Sequence, residues 1–175
     1  MEIRPLREDD DRSSFRSGDP DLDRFFARYA GQNQFRLHIG TTYVAADGKR
    51  ILGFSTVAPS HIEAEDLPES IRRKFPGYPL PILRLARMAV DEAAQGRGVG
   101  SGLLRFVFVL ARKMSSEYGC VGVVVDAKPN AADFYARYGF ANLPVIEGES
   151  TSRPPSSPMF LSIHEIASAG GADSS

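Results

Sequence analysis

Three glycines spaced two residues apart mark the part of this chain best suited to hold a phosphate group. Gly96, Gly98 and Gly100 follow an apolar run that ends at Val90, and they precede a second apolar run that predicts a helix. Glycine has no Cβ, so backbone N–H groups can approach an anion closely, and the positive end of the helix dipole favours negative charge. The order of strand, glycine loop and helix therefore predicts a phosphate site.

Spacing excludes two common phosphate loops. A P-loop needs a lysine directly after its last glycine, and no lysine follows Gly100. A dinucleotide-binding fingerprint needs a third glycine where Ser101 or Leu103 stands in this chain. What remains is Gln-x-x-Gly-x-Gly, which begins at Gln95. Taken alone, the loop fits either a ligand site or a turn that only joins a strand to a helix.

A second motif adds a side chain that can donate a proton. Residues 121–125 predict a buried parallel strand, and residues 130–140 predict a short helix closed by Gly139. The second range begins with Asn130 and contains Tyr135. With the loop, its pattern Asn-x-x-x-Phe-Tyr-x-x-x-Gly-Phe resembles the cofactor site of the GNAT N-acetyltransferases, which use acetyl-CoA.

That resemblance implies an α/β (α+β) GNAT fold. Its central mixed sheet is mostly antiparallel, contains a splayed parallel pair of central strands, and is flanked by helices. We expect a single acetyltransferase domain over residues 1–166 and a disordered tail over residues 167–175. Acetyl-CoA is the expected cosubstrate, and no metal is expected.

The resemblance also assigns roles to residues of both motifs. Tyr135 is expected to be the catalytic residue, which protonates the leaving thiolate of coenzyme A; the alternative is a packed tyrosine with its hydroxyl satisfied elsewhere. Asn130 is expected to bind the pantetheine arm, and Arg87 to face the acceptor. The other expected cofactor contacts lie on the strand end and the loop: Met88, Ala89, Val90, Gln95, Gly96, Arg97, Gly98, Val99 and Gly100.

A narrower resemblance covers residues 1–165. The chain is similar there to the acetyltransferase toxins of bacterial toxin-antitoxin pairs, in these segments: Phe15–Gly18, Leu22–Asp23, Gln32–Gln34, Thr42–Val44, Gly53–Phe54, Leu80–Leu83 and Ala86–Asp91. It implies acetylation of the α-amino group of aminoacyl-tRNA, a ribbon-helix-helix antitoxin as partner, and a homodimer. Two features depart from the family: Met88 replaces the usual leucine, and the segment 151–158 is long, with Arg153 as its one basic residue.

Two other functions remain open at this point. The chain could acetylate a small-molecule or protein amine without acting as a toxin. It could also be a non-catalytic acyl-CoA-binding module that regulates a partner, although the intact Tyr135 disfavours this.

Composition sets limits on the function. The chain has 175 residues, 42% hydrophobic and 25% charged, which suits one soluble domain. It has no apolar run long enough for a membrane span or signal peptide, so we expect a cytoplasmic protein without membrane association. Cys120 is the single cysteine and the three histidines are scattered, so no metal site is predicted. Net charge is −1, but residues 72–113 carry a basic surplus that fits either a polyanion site or a solvated surface.

The remaining elements follow from periodicity and turn signals. A helix is predicted to begin at Pro20 with Asp19 as its cap, to bury Tyr29 with its other large apolar residues, and to end at Gly31. Residues 41–46 and 51–57 predict a hairpin with a four-residue loop. Further strands are predicted over residues 80–90 and 159–163.

Overall fold

The structure is a computed structural model that describes residues 1–144 and 157–166. The predicted tail over residues 167–175 lies outside the described residues, as does most of the segment 151–158. No helix of the described residues is long and apolar enough to cross a membrane.

Seven strands of the described chain form one mixed sheet. Their bounds are β1 Glu2–Pro5, β2 Thr41–Asp47, β3 Arg50–Ile62, β4 Leu80–Val90, β5 Gly122–Ala127, β6 Ala141–Asn142 and β7 Ser157–Ser162. They are hydrogen-bonded in the order β1-β2-β3-β4-β5-β7-β6. One pair is parallel, and the helical crossover between β4 and β5 identifies that pair, since a parallel neighbour cannot be reached by a tight turn. The predicted mixed sheet is confirmed.

Four helices connect these strands. They are α1 Pro20–Arg24, α2 Glu69–Arg72, α3 Val99–Glu117 and α4 Ala132–Arg137. Two 3₁₀ turns, Ala64–Asp66 and Glu92–Ala94, precede α2 and α3. The apolar run that predicts this helix supplies buried side chains of α3, with Leu103 and Val107 fully inaccessible and Met114 7% exposed.

Contacts divide the chain into two compact units, each with its own core. The first contains Met1–Ala58 and Leu85–Val109. Its core includes Phe26 and Phe54, whose rings are stacked with centroids 4.4 Å apart. The second contains Pro59–Arg84 and the described residues from Leu110 onward. Ile82, Val124 and Phe160 are buried there in one apolar cluster.

The first long helix does not end where the sequence predicted. Asp19 caps it as expected, since its carboxylate accepts from the N–H groups of Asp21 and Leu22. Beyond α1 the helix continues through π-helical turns at Phe25–Tyr29 and Gln32–Leu37. Gly31 is right-handed helical, and the left-handed residue that ends the helix is His38, with φ 54°. The predicted end at Gly31 was therefore wrong.

The hairpin turn is shorter than predicted. Asp47 and Arg50 form a cross-strand pair, so only Gly48 and Lys49 lie in the turn. Gly48 has φ 59°, as a two-residue turn that follows the twist of the strands requires. The predicted four-residue loop included Asp47 and Arg50, which belong to the strands.

Candidate active site

The glycine loop between β4 and α3 adopts a backbone that other residues rarely reach. Gly96 and Gly98 have φ 80° and φ 81°. A Cβ added to either would meet no protein atom within 4 Å, so space in front of the loop is open. Glycine is needed here for backbone conformation and not for packing against the protein. An open concave turn of this kind can present N–H groups to an anion.

Helix α3 begins directly on this loop. Its first intrahelical bond runs from the N–H of Gly102 to the carbonyl of Gly98 at 3.0 Å. The N–H groups of the residues between them, Val99, Gly100 and Ser101, therefore have no acceptor in the preceding turn of this helix. Together with the positive end of a 19-residue helix, they make this end of the loop attractive to a phosphate.

The side chain of Gln95 holds the loop in place. Its Nε2 donates to the carbonyl of Val90 at 3.1 Å and to the carbonyl of Ser17 at 3.0 Å. Gln95 thus ties the loop both to the end of β4 and to the segment before α1. The amide is occupied by these bonds, so its backbone N–H is the group that it can offer to a ligand.

Asp91 makes a second connection between the same two segments. Its Oδ2 accepts from the N–H of Arg16 at 3.1 Å, and its Oδ1 accepts from the N–H of Ala93 at 3.0 Å. The N–H of Glu92 donates to the carbonyl of Arg16 at 2.8 Å. The sequence reasoning missed this role of residues 16–17, because no local pattern links backbone groups that lie more than seventy residues away.

Near the end of β4, one edge of the strand faces β3 and the other faces away from it. Asp91 donates its N–H to the carbonyl of Leu52 on β3 at 2.8 Å. Backbone groups of alternate strand residues face the same edge, so those of Ala89 also face β3; a Cβ added to Gly53 would lie 3.0 Å from the Ala89 oxygen. Met88 and Val90 direct their backbone groups to the opposite edge of the strand.

Arg87 lies on the face of β4 that contacts the first long helix. Its guanidinium carbon is 4.0 Å from the centroid of the Phe25 ring, a cation–π contact. Phe25 is only 5% exposed, so it provides a fixed platform for the partly buried arginine. The structure holds the predicted acceptor-facing side chain in one place by this stacking.

Tyr135 is buried in the second unit. Its side chain is 4% exposed, and its ring makes edge-to-face contacts with Phe134 and Phe140 at centroid distances of 5.2 Å and 5.5 Å. Burial raises the pKa of the Tyr135 phenol above its ordinary value of 10.0. No described residue is hydrogen-bonded to its hydroxyl. The phenol is therefore a protonated donor throughout the physiological range.

Helix α4 positions Tyr135. The N–H of Tyr135 donates to the carbonyl of Ala131 at 3.2 Å, and the helix ends before Gly139, which has φ 97°. Asn130 precedes this helix in an exposed turn. The N-terminus of the helix has no side-chain cap, so Asn130 does not serve as one.

A thiol and a metal site are the two other kinds of reactive centre to compare with the structure. Cys120 is buried, its thiol lies 3.2 Å from the carbonyl oxygen of Gly122, and burial raises the pKa of that thiol. A protonated, buried thiol is a poor nucleophile. No group of His, Cys, Asp and Glu side chains in the described part of the chain could hold a metal ion.

Comparison with known proteins gives concordant matches. A family model of the acetyltransferase (GNAT) domain matches residues 38–142. The tRNA-acetylating toxin of Mycobacterium tuberculosis is 33% identical over 138 residues, which cover 78% of this chain and 82% of that protein.

Solved structures agree with these matches. AtaT complexed with acetyl-methionyl-tRNAfMet has a TM-score of 0.82 at 27% identity, over 97% of this chain and 98% of that chain. AtaTR bound with acetyl-CoA has a TM-score of 0.77 at 26% identity, over 97% of both chains.

Proposed function

Because this chain belongs to the GNAT acetyltransferase family, we propose that it acetylates the α-amino group of aminoacyl-tRNA and thereby blocks translation. As a member of that family it is an acetyl-CoA-dependent N-acetyltransferase. The observation that carries the choice of acceptor is the 33% identity to a tRNA-acetylating toxin over 78% of the chain. We propose that residues 1–166 act as one acetyltransferase domain.

The glycine loop is the proposed site for the pyrophosphate of acetyl-CoA. Residues 95–100 offer backbone N–H groups from a turn that contains two left-handed glycines, and the start of α3 adds its dipole. Arg97 lies exposed between those glycines, where it can pair with a phosphate. The geometry supports this role because the space in front of Gly96 and Gly98 is open.

The end of β4 is the proposed site for the pantetheine arm. An extended amide chain can pair with a strand edge as another strand would. The edge formed by Met88 and Val90 faces away from β3, whereas Ala89 is directed towards β3. We therefore assign the backbone contacts to Met88 and Val90, with Ala89 shaping the strand between them. Asn130 is proposed as a further residue that binds the pantetheine arm.

The acyl transfer requires little more than positioning and one proton donor. An α-amino group has a pKa of ~8, so about a tenth of it is neutral at pH 7, and this neutral amine can attack without a strong base. Attack of its nitrogen on the thioester carbon breaks the C–S bond, and the electron pair goes to sulfur. The Tyr135 hydroxyl donates a proton to that thiolate, and the nitrogen loses its extra proton to water.

Acetylation would remove the nucleophile of the next peptide bond, so we expect this activity to arrest growth. The proposal places the protein in the cytoplasm, with its substrate. It also includes a homodimer and a small ribbon-helix-helix antitoxin that neutralises the enzyme. A short neighbouring gene for such a protein would support the partner, and light scattering of the purified enzyme would test the dimer.

Direct product analysis tests the proposed acceptor. Purified protein is incubated with acetyl-CoA and charged total tRNA, and nuclease-released aminoacyl-adenosines are examined by mass spectrometry. We expect N-acetylated products with one or a few amino acids. Coenzyme A release only with polyamines, amino sugars or peptide amines would contradict the proposal and favour an ordinary N-acetyltransferase. Binding of acetyl-CoA without turnover on any amine would favour a regulatory module.

A further inference from the structure

The first long helix carries an exposed basic face. Arg24, Arg28 and Arg36 are all exposed, whereas Phe25 and Phe26 on the same helix are buried. We call Arg24, Arg28 and Arg36 the arginine face. Residues 24–46 include these three arginines and His38 but no acidic residue.

The helix geometry aligns these arginines. They are separated by four and eight residues, and side chains four apart are neighbours on a helix surface, with Cβ atoms roughly 5–6 Å apart. This helix contains π-helical turns, in which the hydrogen bond spans five residues. A spacing of four therefore falls between the periods of the two helix types, so the arginines follow one line along the helix.

Most of this charge is uncompensated. Arg24 forms an exposed ion pair with Asp21 at 3.3 Å. Within the part of the chain that the structure describes, Arg28 and Arg36 have neither a hydrogen bond nor an ion pair. Two unpaired guanidinium groups on a rigid helix favour a partner that carries several phosphates, because each contact releases counterions from that partner.

We propose that the arginine face binds the phosphate backbone of the tRNA that carries the acceptor amino acid. This inference rests on the proposed function and extends it, since it gives the enzyme a surface for the tRNA body. A line of arginines is suited to RNA phosphates in particular, because a planar guanidinium can bond two phosphate oxygens at once. Such contacts position the RNA without reading its sequence.

The test compares two double variants with equal loss of charge. R28Q/R36Q removes the two unpaired arginines of the face. R112Q/K113Q removes two exposed basic residues from α3 and serves as the matched control. Glutamine keeps a similar length and helix propensity, so both variants should fold, which circular dichroism checks. Binding of deacylated tRNA is measured by fluorescence anisotropy at several salt concentrations, beside acetylation kinetics.

We expect R28Q/R36Q to bind tRNA on the order of tenfold more weakly, and the slope of log affinity against log salt to fall by roughly 1.5. The KM for acetyl-CoA should be unchanged in all three proteins. The control should retain the wild-type slope. Equal losses in both double variants, or no loss in either, would overturn the assignment. So would a DNA duplex that competes as well as tRNA, since this would indicate a general polyanion surface.

Other outcomes separate this inference from the proposed function. A wild-type enzyme that binds tRNA through this face but acetylates no aminoacyl-tRNA would overturn the proposed acceptor and leave the surface in place. If the wild-type enzyme acetylates aminoacyl-tRNA and R28Q/R36Q does so equally well, only the proposed tRNA-binding surface is overturned. Loss of antitoxin binding in R28Q/R36Q with unchanged tRNA affinity would assign the face to a protein partner instead.

Discussion

The guanidinium carbon of Arg87 lies 4.0 Å from the centroid of the Phe25 ring. This contact joins β4 to the first long helix, immediately before the strand residues that are proposed to bind pantetheine. Phe25 in turn belongs to a cluster of aromatic rings that includes Phe54 at 6.3 Å. Arg87 is thus positioned by the core of the first unit, and its charge is held at a fixed point on the strand.

Replacing Arg87 with lysine should separate stacking from charge. R87K keeps the cation but loses the planar group, so we expect a loss of about 1 kcal/mol in unfolding free energy. The KM for aminoacyl-tRNA should rise several-fold while the KM for acetyl-CoA stays constant. Thermal denaturation and steady-state kinetics measure both, with R73K as control because Arg73 is 80% exposed. Wild-type kinetics in R87K would contradict an acceptor contact.

Removing the Tyr135 hydroxyl should stop catalysis without unfolding the protein. Y135F leaves the ring contacts with Phe134 and Phe140 intact and removes only the proton donor. We expect kcat to fall about a hundredfold or more, with little change in KM for acetyl-CoA. Y118F is the matched control, since Tyr118 is 74% exposed. If Y135F retained kcat within a factor of two, a different group would have to protonate the thiolate.

The pH dependence of the rate should report the amine and not the phenol. Burial raises the pKa of Tyr135 above 10.0, so the donor stays protonated below that pH. The acceptor amine loses its proton with a pKa of ~8, so kcat/KM should rise with pH and reach a plateau. Rate measurements from about pH 6 to 9.5 check this. If kcat/KM of the wild type declines within that range and kcat/KM of Y135F does not, the Tyr135 phenol ionises at a lower pH than expected.

Local sequence patterns predict the helices and strands. The features that they miss depend on contacts between residues far apart in the chain. The strand Leu80–Val90 and the loop that follows it match the sequence prediction, because glycine spacing and apolar runs act locally. The sequence predicts a helix end at Gly31, but Phe26 and Ala30 before it are buried in the core, and that packing carries the helix past the glycine. The sequence also predicts that Tyr29 packs inside with Phe25 and Phe26, whereas the structure leaves it 46% exposed.

The candidate site shows the same division between local patterns and tertiary contacts. The types and spacing of residues 95–100 predict a phosphate site. The bonds that hold the loop to Ser17 and Arg16 depend on tertiary structure, and no sequence pattern predicts which carbonyl a glutamine will contact. Positive φ and open surroundings do not by themselves separate a ligand loop from a plain turn, because Gly48 in the β2–β3 turn has both.

The glycines of the loop should be required for cofactor binding. Gly98 has φ 81°, so G98A forces a side chain into a conformation that costs about 1–2 kcal/mol. The loop would relax away from this shape, and we expect the KM for acetyl-CoA to rise roughly tenfold. G48A is the control, because Gly48 also has positive φ and open surroundings but lies in the β2–β3 turn. Equal changes in KM for the two variants would contradict a role for the loop.

The ion pair between Arg4 and Asp10 should make stability depend on acid pH. The two side chains are each 11% exposed and are joined by two hydrogen bonds of 2.8 Å and 2.7 Å. Arg4 holds the pKa of the Asp10 carboxyl below its ordinary value of 3.8. The stabilisation is therefore present above pH 3.8 and is lost as pH falls through the lower pKa of the folded protein.

D10N should accordingly lower the unfolding free energy by about 2 kcal/mol at neutral pH, because it removes the negative charge and one of the two oxygens to which Arg4 donates. The difference from wild type should shrink in acid, since the wild-type carboxyl then loses its charge as well. Chemical denaturation at several pH values measures this. E69Q is the control, as the Arg73–Glu69 pair is 80% and 70% exposed and should contribute nothing measurable. A D10N difference that stayed constant into acid would mean that the pair stabilises the fold through shape and not through charge.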